Sequence, residues 1–113
     1  MNCLFCNIAS GAIPATIIYR NDTVVAFDDI NPQAPIHKII IPIKHIETVN
    51  DFTVDDSAIL TEAMQTIIAL AKAFNIAEEG YRVVMNCNAN GGQSVFHIHW
   101  HLLGGRRLQW PPG

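Results

Sequence analysis

The sequence predicts an α+β fold in which one antiparallel sheet carries the helices. Three observations indicate it: five runs rich in β-branched and aromatic residues, one long segment with helical periodicity, and short connections between most of the runs. The chain has 113 residues, half of them apolar, so we expect a single domain over residues 1–113 with a buried core.

Turn-forming residues delimit the elements. Residues 3–11 predict a short N-terminal helix that stops at Gly11. The first two strands form a hairpin that turns at Asn21 and Asp22, and a proline-bounded loop leads into the third strand. The predicted strands are residues 15–22, 23–30, 37–43, 81–87 and 94–103.

The one long helix is predicted over residues 53–74. Thr53 and Asp56 resemble a capping box at its start. Apolar residues recur at helical spacing and predict its buried face: Leu60, Met64, Ile67, Ile68 and Ala71. The last three residues, 111–113, form an extended tail.

Charge and hydropathy argue against several classes of function. A formal net charge of -3 does not suit a protein that binds nucleic acid by neutralising phosphates. We therefore expect a phosphate ligand to be held by histidines, hydroxyls and backbone N–H groups. The longest apolar stretch is well below the ~20 residues that span a bilayer, and the first residues lack signal-peptide features. We expect a cytoplasmic protein without membrane association, and its odd number of cysteines does not suggest a disulfide framework.

Three histidines alternate near the end of the chain. On a strand, His97, His99 and His101 would share one face at a spacing of ~6.7 Å. The residues between them would share the opposite face, beneath the helix: Phe96, Ile98, Trp100 and Leu102.

This pattern has three interpretations. It could be an amphipathic strand whose polar residue happens to be histidine, a metal site, or a site of phosphoryl chemistry. The preceding loop, residues 90–94, offers glycines, N–H groups and the Ser94 hydroxyl, which suit an anion, although such a loop can also be an ordinary turn. Its direct passage into the histidine segment favours phosphate.

The sequence resembles the histidine triad (HIT) family, and within it the Hint branch. The motif "HIHWHLL" fits the family pattern of alternating histidines followed by apolar residues. The resemblance extends through four segments of the chain, residues 11–19, 26–46, 90–105 and 110–113. It implies a HIT-like five-stranded sheet, a homodimer in which the sheets of two protomers join, and no organic cofactor. It further implies cleavage of purine nucleotides at the α-phosphorus through a nucleotidyl-histidine, with nucleoside phosphoramidates as the favoured substrates.

Family roles can be transferred to matching positions. The resemblance implies that His99 is the nucleophile, that His101 contacts the non-bridging phosphate oxygens and that His37 completes the cluster. Ser94 would help to protonate the departing amine. Asn86, Gly92 and Gln93 would line the phosphate loop, and Trp110 would lie near the active site of the partner protomer.

The nucleoside half of the ligand would be held by different residues. Asp29 matches the acid that accepts hydrogen bonds from the ribose hydroxyls, although Asp28–Asp29 alone would suggest a solvated turn. The purine would lie against an apolar wall: Phe5, Ile8, Phe27, Ile30 and Ile39. Without the resemblance, the strand positions Phe27, Ile30 and Ile39 would be assigned to the core.

Cys3 and Cys6 have the spacing of metal ligands. With His45 and His97 they could form a tetrahedral Cys₂His₂ zinc site that ties the N-terminal helix to the sheet, as in several family members. The alternative is two buried thiols packed as small hydrophobic groups. If His97 is a ligand, its direct part in catalysis is in doubt.

Three functions compete. The first is a Hint-type nucleoside phosphoramidase, which the terminal "WPPG" favours. The second is a dinucleoside-polyphosphate hydrolase, the activity of a sister branch. The third is a nucleotide-binding adaptor whose hydrolysis is incidental.

Overall fold

The computed structural model describes residues 2–113 and contains the five strands and two helices that the sequence predicts. The helices are α1 (Leu4–Ser10) and α2 (Ser57–Ala73). The strands are β1 (Ile17–Arg20), β2 (Val24–Asp28), β3 (Ile36–Pro42), β4 (Tyr81–Val84) and β5 (Trp100–Gly104). All pairs are antiparallel in the order β1-β2-β3-β5-β4, so β5 returns to lie between β3 and β4.

The first hairpin turns where the sequence predicts. Asn21 Oδ1 accepts hydrogen bonds from the backbone N–H groups of Thr23 and Val24, both at 2.8 Å. A short polar side chain that satisfies the backbone in this way stabilises a tight turn. The β1–β2 hairpin is therefore specified locally.

The sheet is covered on both faces, which explains the nearly continuous apolar sequence of β3. Ile40 is fully buried on the α2 side, in the main hydrophobic core. Ile39 and Ile41 point to the other side, where a smaller cluster packs against α1. This alternation follows from the two-residue period of a strand.

The predicted capping box forms, but it caps a 3-10 turn at Val54–Asp56; α2 itself begins at Ser57 rather than at residue 53, and its buried face also differs from the prediction. Asp56 Oδ2 accepts from the Thr53 N–H at 3.1 Å at the predicted capping box. Ile67 and Ala71 are buried as predicted, whereas three other predicted core residues are exposed: Leu60, Met64 and Ile68. The side chains buried instead are Ala63, Thr66 and Leu70.

The reason for this error is that apolar residues cover more than half of the circumference of α2. Periodicity alone could not choose between two adjacent apolar stripes. The structure places Ala63 toward the core, where a small side chain lets the helix approach the sheet closely. The stripe that contains Leu60, Met64 and Ile68 is left on the flank of the helix.

The predicted fifth strand is too long at its N-terminal end. Residues 94–99 are irregular and strand pairing begins at Trp100. The N–H of Ile98 donates to the carbonyl of Ile46, which lies in the segment after β3, at 2.8 Å. Ile98, Trp100 and Leu102 are buried as predicted, but Phe96 is 45% exposed and does not pack under the helix.

The end of β4 also differs from the prediction. β4 ends at Val84 rather than at residue 87, because the chain leaves the sheet to form the glycine-containing loop. Among residues 2–113, no helix is long and apolar enough to cross a membrane.

Candidate active site

Two neighbouring strands and the segment before β5 bring the histidines together. His37 lies on β3 and His101 on β5, and these strands are paired with Ile39 opposite His101. His99 lies just before β5, with its ring centroid 4.9 Å from that of His101. The predicted cluster of His37, His99 and His101 is therefore present, on the α1 side of the sheet.

A cavity of about 400 Å³ opens beside these rings. Nine of the residues that the sequence predicts for the site line it: Phe5, Ile8, Phe27, Asp29, Ile30, Ile39, Ser94, His99 and His101. An apolar wall thus meets a few polar side chains, which is typical of a pocket for a ligand with an apolar part and a charged part. Ile30 stands fully exposed at the rim.

His99 has the geometry of an activated nucleophile. Its Nδ1 lies 2.9 Å from the backbone carbonyl of His97. Because a carbonyl can only accept, Nδ1 carries the proton and Nε2 keeps a free lone pair. Burial lowers the pKa of His99, although the His97 carbonyl and the Asp29 charge oppose the shift. The ring is therefore neutral at pH 7, and the edge-on contact with Phe5 at 5.0 Å helps to fix its plane.

The protonation of His37 is set by the backbone. The Gln33 N–H donates to His37 Nδ1 at 3.0 Å, so Nδ1 is an acceptor and the proton lies on Nε2. His37 Nε2 lies 2.9 Å from His101 Nδ1 and donates to it. His101 consequently carries its own proton on Nε2, the nitrogen left available to a ligand.

Burial is the main cause of the low pKa of His101, about 4, and the neighbouring His99 and His37 reinforce it. Burial also lowers the pKa of His37, against the opposing charge of Asp29. The cluster is thus uncharged at neutral pH. It offers one lone pair, on His99, and one N–H donor, on His101.

Asp29 joins the cavity to the cluster. Its Oδ1 accepts from the Asn31 N–H at 2.8 Å, which fixes the carboxylate at the end of β2. Its Oδ2 lies 3.3 Å from His37 Nε2. Asp29 also lines the cavity, so one carboxylate can meet both a ligand and a histidine of the cluster.

Gln93 organises the loop before the histidines. Its Nε2 donates to the carbonyls of Glu47 at 2.7 Å and Val95 at 3.1 Å, and its Oε1 accepts from the Asn88 N–H at 2.9 Å. The buried amide is fully hydrogen-bonded within the protein. A phosphate contact by Gln93 therefore stays a prediction. In the structure, its side chain holds the loop together through these hydrogen bonds.

The other predicted loop residues also lie outside the cavity lining. Asn86 Nδ2 donates to the Gly91 carbonyl at 2.6 Å. Gly91 packs against the backbone of Cys87 with no room for a Cβ, and Gly92 has a φ of +79° that favours glycine. The glycines are thus needed to fold the loop, which presents Ser94 at the cavity.

Cys3, Cys6, His45 and His97 converge as a possible metal site. Their ligand atoms all lie within 4.8 Å of one another. His97 Nδ1 is 3.5 Å from each sulfur and 3.2 Å from His45 Nδ1, and Cys6 Sγ is 3.3 Å from His45 Nδ1. Tetrahedral zinc with ordinary bond lengths requires about 3.4 Å between two nitrogens and about 3.6 Å between sulfur and nitrogen.

The outer contact of His97 also suits a metal ligand. Its Nε2 donates to the Pro42 carbonyl at 2.7 Å, so the lone pair of Nδ1 faces the cluster. His97 is fully buried and does not line the cavity. It reaches the reaction site through its backbone carbonyl, which holds His99.

Sequence reasoning missed six residues of the cavity lining: Leu4, Ile13, Pro14, Ala15, Asp28 and Val95. Most of them fall inside the segments that carry the family resemblance or next to Phe5. Their position in those segments, or beside Phe5, is the sequence signal that could have identified them as cavity residues. Trp110, by contrast, is 81% exposed and lies outside the cavity of its own chain.

The fold and the histidine cluster define a hydrolase of the histidine triad class. Residues 10–108 match the model of the HIT domain. The purine nucleoside phosphoramidase of Escherichia coli (strain K12) is 48% identical over 105 residues, which cover 93% of this chain and 88% of that protein. The chain belongs to the HIT family, and this relative confirms its resemblance to the Hint branch.

Solved structures agree. A HIT family hydrolase from Legionella pneumophila Philadelphia 1 has a TM-score of 0.98 at 54% identity, over 99% of this chain and 100% of that one. A histidine triad protein from Clostridium difficile has a TM-score of 0.93 at 40% identity, over 96% and 95%. The fold expected from the sequence is thereby confirmed.

Proposed function

We propose that the protein hydrolyses purine nucleoside 5′-phosphoramidates at the α-phosphorus. The observation that carries this proposal is the state of His99, neutral, with Nδ1 bound to the His97 carbonyl and Nε2 free beside a cavity. The E. coli relative is named a purine nucleoside phosphoramidase, which supports the choice of substrate.

The reaction would proceed in two steps. His99 Nε2 attacks phosphorus, the bond from phosphorus to the amine breaks, and the amine leaves with a proton that Ser94 helps to deliver. Water then cleaves the nucleotidyl-His99 intermediate, releasing the nucleoside monophosphate. The positive charge that develops on the His99 ring is stabilised by the His97 carbonyl, and His101 Nε2–H donates to a non-bridging oxygen.

The ligand would lie along the cavity with its purine against the apolar wall. Phe5 and Phe27 meet edge to face with ring centroids 5.5 Å apart and would bound the base. Asp29 would accept hydrogen bonds from the ribose hydroxyls. Asn86, Gly92 and Gln93 would shape the loop around the phosphate.

Substrate comparison tests the proposal. Single-turnover hydrolysis of an AMP-amine phosphoramidate should be rapid, should exceed that of diadenosine polyphosphates, and should disappear in His99→Ala. Faster hydrolysis of the diadenosine polyphosphates would instead indicate a dinucleoside-polyphosphate hydrolase. Nucleotide binding with no turnover of either substrate would favour the adaptor.

We also propose a homodimer. The exposed apolar flank of α2 contains Leu60, Met64 and Ile68. It faces away from β1, because the other side of the helix, with Glu62, lies against the β1–β2 hairpin. Tyr81 and Val83 of the edge strand β4 are exposed on the same face of the sheet, because Val83 pairs with the core residue Leu102. Together they form an apolar surface beside an unpaired strand edge, which suits a second copy of the chain.

The position of the C-terminal tail fits this dimer. Arg82 Nη2 on β4 donates to the Gln109 carbonyl at 2.8 Å, which holds the tail at the same edge. Trp110 follows directly and is exposed. It would therefore lie near the partner's cavity, where we propose that it contacts the leaving group.

We further propose that Cys3, Cys6, His45 and His97 bind zinc. The donor distances match a tetrahedral site, and two thiolates with two imidazoles are a typical zinc set. When bound, the metal would supply a structural cross-link between α1 and the sheet. Two reduced cysteines at such a site also fit a cytoplasmic protein.

A further inference from the structure

The single proton of His37 has two acceptors within reach. His37 Nε2 lies 2.9 Å from His101 Nδ1 and 3.3 Å from Asp29 Oδ2. The Gln33 N–H occupies the other ring nitrogen, so His37 has no second proton to donate. Asp29 and His101 therefore compete for one hydrogen bond.

The outcome of this competition determines what His101 offers to a phosphate. While His37 donates to His101 Nδ1, the proton of His101 is kept on Nε2. When His37 donates to Asp29, His101 Nδ1 is released and can take the proton itself. Nε2 then becomes an acceptor, which repels a phosphate oxygen instead of binding it.

Metal binding by Asp29, His37 and His101 is the competing explanation, since their ligand atoms also lie within 4.8 Å of one another. A metal on His37 Nε2 would require the proton on Nδ1. That proton would point at the Gln33 N–H, which is itself a donor. The hydrogen-bond pattern therefore favours a proton-sharing network over a metal site.

We propose that His37 is a positioning residue that couples recognition of the sugar by Asp29 to the donor state of His101. The inference rests on the nucleotide function proposed above. Ribose hydroxyls that donate to Asp29 Oδ2 satisfy the carboxylate, and the His37 proton is then directed to His101. A sugar without these hydroxyls leaves Asp29 to attract that proton. The hydroxyls thus raise kcat in addition to affinity.

Kinetics with two substrates test this coupling. The AMP-amine phosphoramidate and its 2′,3′-dideoxyribose counterpart are compared in the wild type and in His37→Leu. In the wild type, loss of the hydroxyls should lower kcat about tenfold as well as raise KM, the effect expected of one hydrogen bond to a charged group. In His37→Leu, kcat should be low with both substrates, so that the ratio of the two kcat values is near one. KM should still be higher for the dideoxyribose substrate than for the ribose substrate.

Equal kcat ratios in the two proteins would overturn the inference. Failure of the proposed function would look different, because the wild type would then show no His99-dependent turnover of the ribose substrate. His37→Gln provides a conservative control, since its amide can accept from the Gln33 N–H and donate to His101. It should restore the dependence of kcat on the hydroxyls, and failure to do so in a folded protein counts against the coupling.

A spectroscopic measurement does not depend on the variants. The ¹⁵N chemical shifts of the His101 ring report which nitrogen is protonated. Wild-type protein saturated with AMP should show the proton on Nε2, and protein saturated with 2′,3′-dideoxy-AMP should show a mixture of both tautomers. The same tautomer in both complexes would contradict the proposal.

Discussion

Backbone groups determine where two histidines of the cluster, His99 and His37, hold their protons. The His97 carbonyl fixes the proton of His99 on Nδ1, and the Gln33 N–H fixes that of His37 on Nε2. Two nearly identical imidazoles thereby acquire opposite roles, one presenting a lone pair and the other, through His101, an N–H donor. The chemistry is thus set by nearby backbone groups, two residues from His99 and four residues from His37, as much as by the histidines themselves.

Removal of the His99 ring and removal of the His101 ring should lower kcat by unequal amounts. His99→Ala should abolish nearly all turnover, because it deletes the atom that forms the bond to phosphorus. His101→Ala should lower kcat by roughly a hundredfold, as expected for loss of one stabilising donor. Stopped-flow kinetics on folded variants measure both, and equal residual activity would refute the assignment.

The low pKa of His101 should also appear in the pH dependence of stability. The unfolded chain takes up a proton near pH 6.5, but folded His101 does so only near pH 4. Between these values the unfolded state binds more protons, so the stability that neutral His101 permits is lost as the pH falls from 6.5 toward 4. A shift of this size corresponds to roughly 3 kcal/mol.

Urea unfolding at several pH values checks this linkage. His101→Asn has no group that titrates in this range, so its free energy of unfolding should fall less steeply than that of the wild type between pH 6.5 and 4. Parallel pH profiles would show that His101 does not carry the effect.

The sequence identifies most residues of the site but not their states. Alternation and the family pattern led to His99, His101 and the cavity wall. The resemblance implies that a backbone carbonyl holds one ring nitrogen of His99, but it does not indicate which nitrogen is protonated on any of the rings. That depends on Gln33 and on the His97 carbonyl. Nor could the sequence show that the amide of Gln93 is already hydrogen-bonded to backbone groups of Glu47, Asn88 and Val95.

At the scale of elements, α1 serves two sites at once. It carries Phe5 and Ile8 of the cavity wall, and its first turn carries Cys6, with Cys3 as the N-cap residue. Seven residues are too few for a stable isolated helix, so α1 depends on packing and on whatever joins Cys3 and Cys6 to the sheet. Metal binding would thus support one wall of the cavity.

Elemental analysis tests the metal site. The wild type, expressed with ample metal and without a tag, should contain one zinc per chain, and Cys6→Ser should lose it together with thermal stability. Cys87→Ser is the matched control, since Cys87 lies outside the cluster, and should keep the metal. Wild-type protein without stoichiometric zinc would reject the site.

The proposed homodimer interface includes the exposed apolar flank of α2 and can be tested by mutation. Met64→Asp should convert the dimer to a monomer, because it places a charge in the proposed apolar interface. Ile17→Asp on the opposite edge strand, a similar change at an exposed position, should leave the dimer intact. Sedimentation velocity gives both masses, and a monomeric wild type would refute the dimer.

Element predictions were correct in kind and order, and their errors have physical causes. The buried face of α2 was misassigned because the helix carries two adjacent apolar stripes. One stripe packs into the core, and the other lies on the exposed flank. The start of β5 was misplaced because alternation of apolar residues persists through 94–99, where contacts from Gln93 and Ile46 hold the chain outside strand pairing. Pattern alone does not register such tertiary contacts.

On the scale of the whole molecule, the sheet, with β3 at its centre, has a different apolar cluster on each face. On one side, the large core under α2 gives the sheet its rigidity. On the other, a smaller apolar cluster, the cavity and the metal-type site share α1 and the histidines. His37 and His101 lie on paired strands and His99 lies directly before β5, while part of the cavity wall belongs to the short helix α1.

The central claim is that His99 becomes covalently nucleotidylated during turnover. The most direct measurement is to mix the wild type with excess AMP-amine phosphoramidate, quench within the first turnover and locate adenylylation by peptide mass spectrometry. We predict a transient adenylyl group on His99 that decays at the rate of AMP release. Turnover without an adduct on His99, or with the group on another residue, would contradict the mechanism.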